Sequence, residues 1–244
     1  MKAMIFAAGL GTRLKPLTDT MPKALVPVGG QPLLWHVMKK LQRAGFNDMV
    51  VNVHHFAEQI IDYLHQNQSQ DVSVAVSWEK EQLLDTGGGI RKAADLLRGS
   101  SSFLIHNVDI FSTLDLNWFV AQEREGALST LLVSERVTKR YLLFNDDMRL
   151  VGWTNVETGE VRTPFESLDV AACRKLAFAG IHLMSQKALD VMNDWPERFP
   201  IMDFYLQLAA EYPIYGVEAK KIKLVDVGKL DTLDSLEDTY TEYQ

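Results

Sequence analysis

Two hydrophobic rhythms alternate along the chain. Short apolar runs rich in β-branched and aromatic residues, at 3–8, 49–53, 72–78, 103–107 and 128–133, read as buried strands. The stretches between them repeat their apolar positions at the helical period. Leu33, Leu34, Val37, Met38 and Leu41 share one face of a predicted helix, with Pro32 just inside its start and Gly45 just past its end, the usual asymmetry of helix punctuation. Phe56, Ile60, Ile61 and Leu64 mark the next helix. Strand, helix and strand in repetition close a parallel sheet through right-handed crossovers, so the first roughly 135 residues predict a doubly wound α/β layer.

From Arg136 the rhythm changes. Apolar runs at 141–144 and 150–153 predict a hairpin around Asn145-Asp146-Asp147, followed by an irregular stretch to Lys175; 136–175 therefore reads as an insertion or lid. Regular structure resumes with a strand at 176–183, a helix carrying Ile201, Phe204, Tyr205, Leu208 and Tyr212 on one face, and a strand at 222–225. A last helix carries Leu230, Leu233, Leu236 and Tyr240. The chain shows no internal repeat, low-complexity segment or linker, so its 244 residues predict a single domain over 1–244, against a prior of about 150 residues per domain.

Composition narrows the function classes. A hydrophobic share of 47% excludes disorder as the main state. Lys and Arg number 25 against 32 Asp and Glu, a net charge of −7, which leaves no broad basic face for a nucleic-acid backbone. A small anionic ligand stays compatible, because one or two placed cations bind it whatever the global sum. Cys173 is the only cysteine, which excludes an internal disulfide framework or a cysteine-rich zinc site and fits a reducing compartment. The apolar start is broken by Gly11-Thr12-Arg13, so a buried first strand is expected rather than a signal peptide. No run approaches the roughly 18 apolar residues of a membrane span. The expectation is a soluble cytoplasmic protein with neither nucleic acid nor membrane as partner.

The first strand runs into Ala8-Gly9-Leu10-Gly11-Thr12-Arg13, and a second cation arrives at Pro22-Lys23. Glycines at the carboxyl end of a first parallel strand let main-chain N–H groups approach a phosphate, and Arg and Lys neutralise it. Leu14 stands where G-x-G-x-x-G has its third glycine, and G-x-x-x-x-G-K-[ST] is absent. The combined motif, Gly9 to Arg13 followed by Pro22-Lys23, resembles the signature of the nucleotide-sugar pyrophosphorylases, the sugar-1-phosphate nucleotidyltransferases. The resemblance implies a three-layer α/β/α sandwich around a mainly parallel mixed sheet, the Rossmann-like nucleotide-diphospho-sugar transferase fold. It also implies a loop that wraps a triphosphate, with Ala8, Gly9, Gly11 and Thr12 close to it and Arg13 and Lys23 on its charge.

Leu84-Asp85-Thr86-Gly87-Gly88-Gly89 runs into a predicted helix at 91–97. Glycines at a helix start offer N–H groups to an acceptor-rich ligand such as a base edge, and Thr86 adds a hydroxyl. By resemblance Thr86, Gly87 and Gly88 hold the nucleobase, as in the branch containing the N-acetylmuramate-1-phosphate uridylyltransferase, with a further base-reading side chain expected within 79–82. Asp109 and Asp226 each follow a predicted strand, where open α/β sheets place ligands. Asn107-Val108-Asp109 and Asp226-Val227-Gly228 resemble the two metal-binding segments of the family, which implies Mg²⁺ on Asp109 and Asp226. Val108 stands for a common Gly and Lys229 for a common Thr. Gly180 resembles the glycine bordering the sugar, Asn107 is placed beside it, and Lys139-Arg140, entering the hairpin, is a candidate for the sugar phosphate; the Glu-Lys-Pro segment that several family members place against that phosphate is missing. His106 lies near Asp109 in sequence and is expected to line the site.

The reaction implied is NTP plus sugar 1-phosphate giving NDP-sugar plus pyrophosphate. UTP with an amino-sugar 1-phosphate is the preferred pair. Mannose-1-phosphate guanylyltransfer and choline-phosphate cytidylyltransfer are the alternatives, with a glycosyltransferase of similar fold behind them.

Overall fold

The computed structural model describes residues 1–244 except 221, 229, 238, 239 and 244. Strand β1 (Lys2–Phe6) leads through a loop of short 3-10 turns to the small β2 (Pro27–Val28) and β3 (Gln31–Pro32), then α1 (Leu33–Arg43), β4 (Asp48–Val53), α2 (Ala57–Gln66) and β5 (Ser73–Trp78). Helices α3 (Asp85–Lys92) and α4 (Ala94–Leu97) precede β6 (Ser102–Asn107), β7 (Ile110–Ser112), α5 (Leu116–Val120) and β8 (Ser129–Ser134). Then come β9 (Arg140–Phe144), β10 (Leu150–Asn155), β11 (Val161–Arg162), β12 (Arg174–Ser185), α6 (Gln186–Val191), α7 (Ile201–Leu208), β13 (Ile214–Glu218), β14 (Leu224–Asp226) and α8 (Leu230–Glu237).

The main sheet runs β11-β10-β9-β12-β6-β1-β4-β5, with β8 joined to β12 and β13 joined to β8. Strands β5, β4, β1 and β6 are parallel, and β12 reverses direction beside β6. The period of two along these strands divides the core. Ala3, Ile5, Met49 and Val51 pack with α1, α2, α5 and α8 on one face, while Met4, Val50, Phe103 and Ile105 pack with α3, α4, α6 and α7 on the other. This is the mixed three-layer α/β/α sandwich that the resemblance implied. The carboxyl ends of β1, β4 and β6 meet along one edge of the parallel block.

The hairpin expected around Asn145-Asp146-Asp147 forms as β9 and β10, and it continues the sheet through β9 pairing with the start of β12. Several boundaries differ from the sequence reading. Pro32 pairs with Pro27 in the β2–β3 ladder and so stands just before α1 rather than inside it. Phe56 sits outside α2 in a left-handed turn (φ 51°) that reverses the chain after β4. Tyr212 lies past α7, closing its last turn onto the Leu208 carbonyl. Strand β13 has no counterpart in the sequence reading, because its Gly216 and Glu218 break the apolar pattern; a Cβ on Gly216 would lie 2.7 Å from the Phe144 ring.

The largest difference concerns the glycine run. Gly87, Gly88 and Gly89 lie inside α3 and are buried, rather than preceding a helix as a loop. Glycine weakens an isolated helix, but here its small volume admits close neighbours. A Cβ on Gly87 would lie 2.2 Å from the Phe199 ring, and one on Gly88 would lie 2.3 Å from the Glu197 carbonyl oxygen. Because the Glu197 atom belongs to the backbone, Gly88→Ala forces the 197–199 segment away from α3. The expected outcome is a loss of about 1–3 kcal/mol, read as a lower urea midpoint with an unchanged m-value.

Candidate active site

A cleft of about 480 Å³ opens at the carboxyl edge of the parallel block, between the turn after β1, Lys23, the start of α3 and the turn after β6. One chain of hydrogen bonds joins its walls. The Ala7 N–H donates to Asn52 Oδ1 (2.8 Å), Asn52 Nδ2 donates to Glu79 Oε1 (2.7 Å), and the Leu84 N–H donates to Glu79 Oε2 (2.8 Å). Asn52 and Glu79 are both buried, so each polar group needs these partners. Gly89 leaves the room they occupy, since a Cβ there would lie 2.8 Å from Glu79 Oε1 and 3.0 Å from Asn52 Nδ2.

The turn after β1 depends on Gly11, whose φ of 64° is left-handed and whose Cβ position lies 2.8 Å from Thr18 Cγ2 and 3.0 Å from Lys23 Cβ. Thr18 Oγ1 donates to the Gly11 carbonyl at 2.8 Å, closing the loop. Gly9 faces open space, so a ligand can approach its backbone. Arg13 sits on a single 3-10 turn anchored by buried Leu14, and its guanidinium projects from an exposed residue.

Lys23 is 9% exposed, and its ammonium bonds the Asp109 carboxylate. Strand β14 pairs antiparallel with β7, setting Asp226 opposite Ile110, and the Val227 N–H donates to the Asp109 carbonyl at 2.9 Å. The two acids, far apart in sequence, are therefore neighbours. Asp226 Oδ1 is buried and has no hydrogen-bond partner among the described residues. Gly228 brings the opposite charge beside it: its Cβ position lies 2.9 Å from Arg13 Nη2 and 3.0 Å from Asp226 Oδ1. Among the described residues no group of three or more His, Cys, Asp and Glu side chains could hold a metal ion.

Of the residues singled out in the sequence, Ala8, Gly9, Gly11, Thr12, Arg13, Lys23, Thr86, Asn107 and Asp109 line the cleft, with Asp226 adjoining it through Gly228. Others are placed elsewhere. Gly87 and Gly88 do not offer free N–H groups to a base, because both donate to the Phe199 carbonyl, at 2.8 and 3.2 Å. Thr86 Oγ1 accepts the Ile201 N–H at 2.9 Å. The space at Gly180 (φ 76°) is filled from within, its Cβ position lying 2.9 Å from Asn107 Nδ2 and from Ile110 Cγ1. Arg140 is exposed at the start of β9 and does not line the cleft, and Lys139 is paired with Glu157 at 2.6 Å.

No residue of 79–82 lines the cleft either. Glu79 is buried for a positioning role, and Lys80 lies over the Trp78 ring. His106 is behind the site, wholly buried, with Nδ1 donating to the Asn107 carbonyl at 2.7 Å. Burial lowers its pKa to about 4, so it is neutral at pH 7. Lys229 lies outside the described residues. The cleft also contains Leu83, Asp85 and Pro200, which the sequence reading passed over. Asp85 is left-handed (φ 60°), and its carboxylate accepts from Arg198 Nε at 2.8 Å. Its place next to Thr86 was the available signal.

Burial raises the Glu79 pKa, and the hydrogen bonds from Leu84 and Asn52 oppose that shift only in part. A carboxyl whose folded pKa lies above its unfolded value contributes stability that is fully present below the unfolded pKa and lost as pH rises through the folded one. The stability of the native protein relative to Glu79→Gln is therefore expected to fall as pH rises from below the ordinary carboxylate range to neutrality. Urea titrations of both proteins across that range check it, and a difference independent of pH contradicts it.

The nucleotidyl transferase family model matches residues 2–241. The chain is 31% identical over 224 residues to an N-acetylmuramate alpha-1-phosphate uridylyltransferase of Caulobacter vibrioides, covering 88% of this chain and 87% of that protein. It is 28% identical over 246 residues to a UTP–glucose-1-phosphate uridylyltransferase of a Synechocystis species, covering 94% of this chain and 61% of that protein. HddC from Yersinia pseudotuberculosis, solved in complex with GMP-PN, shares the fold with a TM-score of 0.76 at 21% identity, over 98% of this chain and 99% of that one. A UDP-glucose pyrophosphorylase solved with UDP-glucose does so at 0.79 and 17% identity over 100% of both chains. The chain thus belongs to the nucleotidyl transferase family, and it is a sugar-1-phosphate nucleotidyltransferase, an enzyme that makes nucleotide sugars.

Proposed function

We propose that the enzyme couples UTP to an amino-sugar 1-phosphate of the N-acetylmuramate type, releasing pyrophosphate, with Mg²⁺ as cofactor and with the whole of 1–244 acting as one domain whose 136–175 segment borders the sugar. The observation that carries this reading is the convergence of Arg13, Lys23, Asp109 and Asp226 on one cleft. Two curated relatives, the Caulobacter protein and a Neisseria meningitidis protein 45% identical over 116 residues, are both N-acetylmuramate alpha-1-phosphate uridylyltransferases, which supports that substrate pair. Among the described residues no helix is long and apolar enough to cross a membrane. The reading places the enzyme in the cytoplasm, supplying an activated sugar for cell-envelope polysaccharide.

The donor set fits the cofactor. Mg²⁺ takes hard oxygen ligands and typically one or two carboxylates together with substrate phosphates and water. Asp109 and Asp226 supply the carboxylates, and the orphaned Asp226 Oδ1 is a buried acceptor in want of a cation. When bound, Mg²⁺ supplies neutralising charge to the phosphates.

The chain's own residues do the rest. A sugar-phosphate oxygen is ionised at neutral pH, so the nucleophile needs no general base, and neutral, buried His106 is not required as one. Attack on the α-phosphorus forms a phosphorus–oxygen bond to the sugar phosphate and breaks the bond to the β-phosphate, whose oxygen leaves with the electron pair in pyrophosphate. The glycine turn holds the triphosphate against its open backbone at Gly9, and orientation lowers the entropic barrier to bringing two polyanions together. Lys23, bonded to Asp109 in this structure, and Arg13, beside Gly228, stabilise the charge that accumulates on the leaving group.

Arg13→Ala and Lys23→Ala are each expected to slow turnover by about 10³-fold without unfolding the protein, read as pyrophosphate release from UTP and the sugar 1-phosphate. Near-normal turnover of Arg13→Ala removes that residue from the mechanism. Asp109→Asn or Asp226→Asn raises the Mg²⁺ concentration for half-maximal rate by at least about tenfold, and an unchanged magnesium curve contradicts the metal assignment. Pyrophosphate release from the four NTPs crossed with several sugar 1-phosphates tests the substrate pair.

A further inference from the structure

We propose that Arg136 recognises a carboxylate on the sugar, selecting an acidic sugar 1-phosphate over its neutral counterpart. This rests on the amino-sugar reading above and assigns a residue to it. A second cavity of about 570 Å³ lies at the ends of β8 and β13, lined by Arg136, Arg174, Lys220, Glu135, Glu218 and Leu224 among others.

Two strands connect it to the active-site cleft. Arg136 Nη2 donates to the Phe178 carbonyl at 3.1 Å, which holds the guanidinium on β12 where its pairing with β8 shifts register between Phe178 and His182. Gly180, inside that irregularity, packs on the side chain of Asn107, a cleft residue. On the other side, Leu224 belongs to β14, the strand that ends at Asp226. The cavity is thus bounded by two strands that also bear on the cleft, one through Asn107 and one through Asp226.

The charges in this cavity are unevenly spent. Arg174 is neutralised by Glu218 at 2.6 Å. Among the described residues, no carboxylate lies within ion-pair distance of Arg136 or Lys220, which leaves Glu135 as the only carboxylate in the lining to oppose them. A guanidinium has five N–H donors, and the Phe178 carbonyl takes one of Arg136's. The remainder present the planar fork that suits a carboxylate better than an ammonium does. N-acetylmuramate differs from N-acetylglucosamine by a lactyl ether that ends in a carboxylate. Its 1-phosphate is therefore a ligand with two separated anions, one for the cleft cations and one for a cation set to the side. Arg140, the candidate from the sequence, is at the first position of β9 and lines neither cavity.

The test compares kcat/KM for N-acetylmuramate 1-phosphate and N-acetylglucosamine 1-phosphate, with UTP and Mg²⁺, in the native enzyme, Arg136→Ala and Arg136→Lys, with thermal midpoints to confirm folding. The ratio of acidic to neutral sugar is expected to fall about tenfold in Arg136→Ala, the scale of one hydrogen-bonded charge lost, and to recover in part in Arg136→Lys. An unchanged ratio, whether both sugars lose equally or neither does, overturns the assignment of Arg136 while leaving the uridylyltransferase reading intact. A native enzyme that turns over neither sugar with UTP overturns that reading, and this proposal with it.

Discussion

The site depends on a buried polar chain that runs from the Ala7 N–H through Asn52 and Glu79 to the Leu84 N–H. These bonds connect the end of β1, the middle of the parallel block and the start of α3. In a low-dielectric interior each member must be satisfied, since an unpaired buried polar group costs about 1–3 kcal/mol. Satisfying all of them at once sets the separation between the glycine turn after β1 and the wall formed by Leu83, Asp85 and Thr86. The glycines of α3 serve the same end, because only a residue without Cβ leaves space for Glu79 and Asn52 on one side and for the 197–199 backbone on the other.

On this frame the charges are arranged in opposition. Lys23 bonds Asp109, while Arg13 and Asp226 meet at Gly228. Two cations and two anions in one cleft largely offset one another, an arrangement compatible with the metal-assisted reading proposed above. The chain as a whole is acidic, so the cations of the cleft are a local feature. They are held by the loop that follows β1 rather than spread over a basic surface.

Legibility from sequence followed the physics of each feature. The parallel block was readable because buried strands are short continuous apolar runs and their helices carry an apolar stripe; the observed β1, β4, β5, β6 and β8 fall within a residue or two of the expected runs. Strand β13 was not, because Gly216 sits where the Phe144 ring needs room, and that requirement comes from another strand. The glycine run misled in a different way. Propensity argues against Gly-Gly-Gly inside a helix, and only its contacts with Phe199, Glu197, Glu79 and Asn52 explain why the helix begins at Asp85.

The sequence alone determined the order of the parallel strands β1, β4, β5 and β6 with helices α1 and α2 between them, the glycine turn with Arg13 and the Lys23 that follows it, and the presence of two acids at strand ends, since all of these are written in local period and spacing. What the tertiary structure decided was adjacency. The pairing of β14 with β7 brings Asp226 beside Asp109, the Asn107 side chain fills the gap at Gly180, and the Phe199 carbonyl takes the N–H groups of Gly87 and Gly88. Each of these joins residues remote in the chain, and the free energy that selects such a contact depends on the packing of both sides at once, which no local pattern encodes.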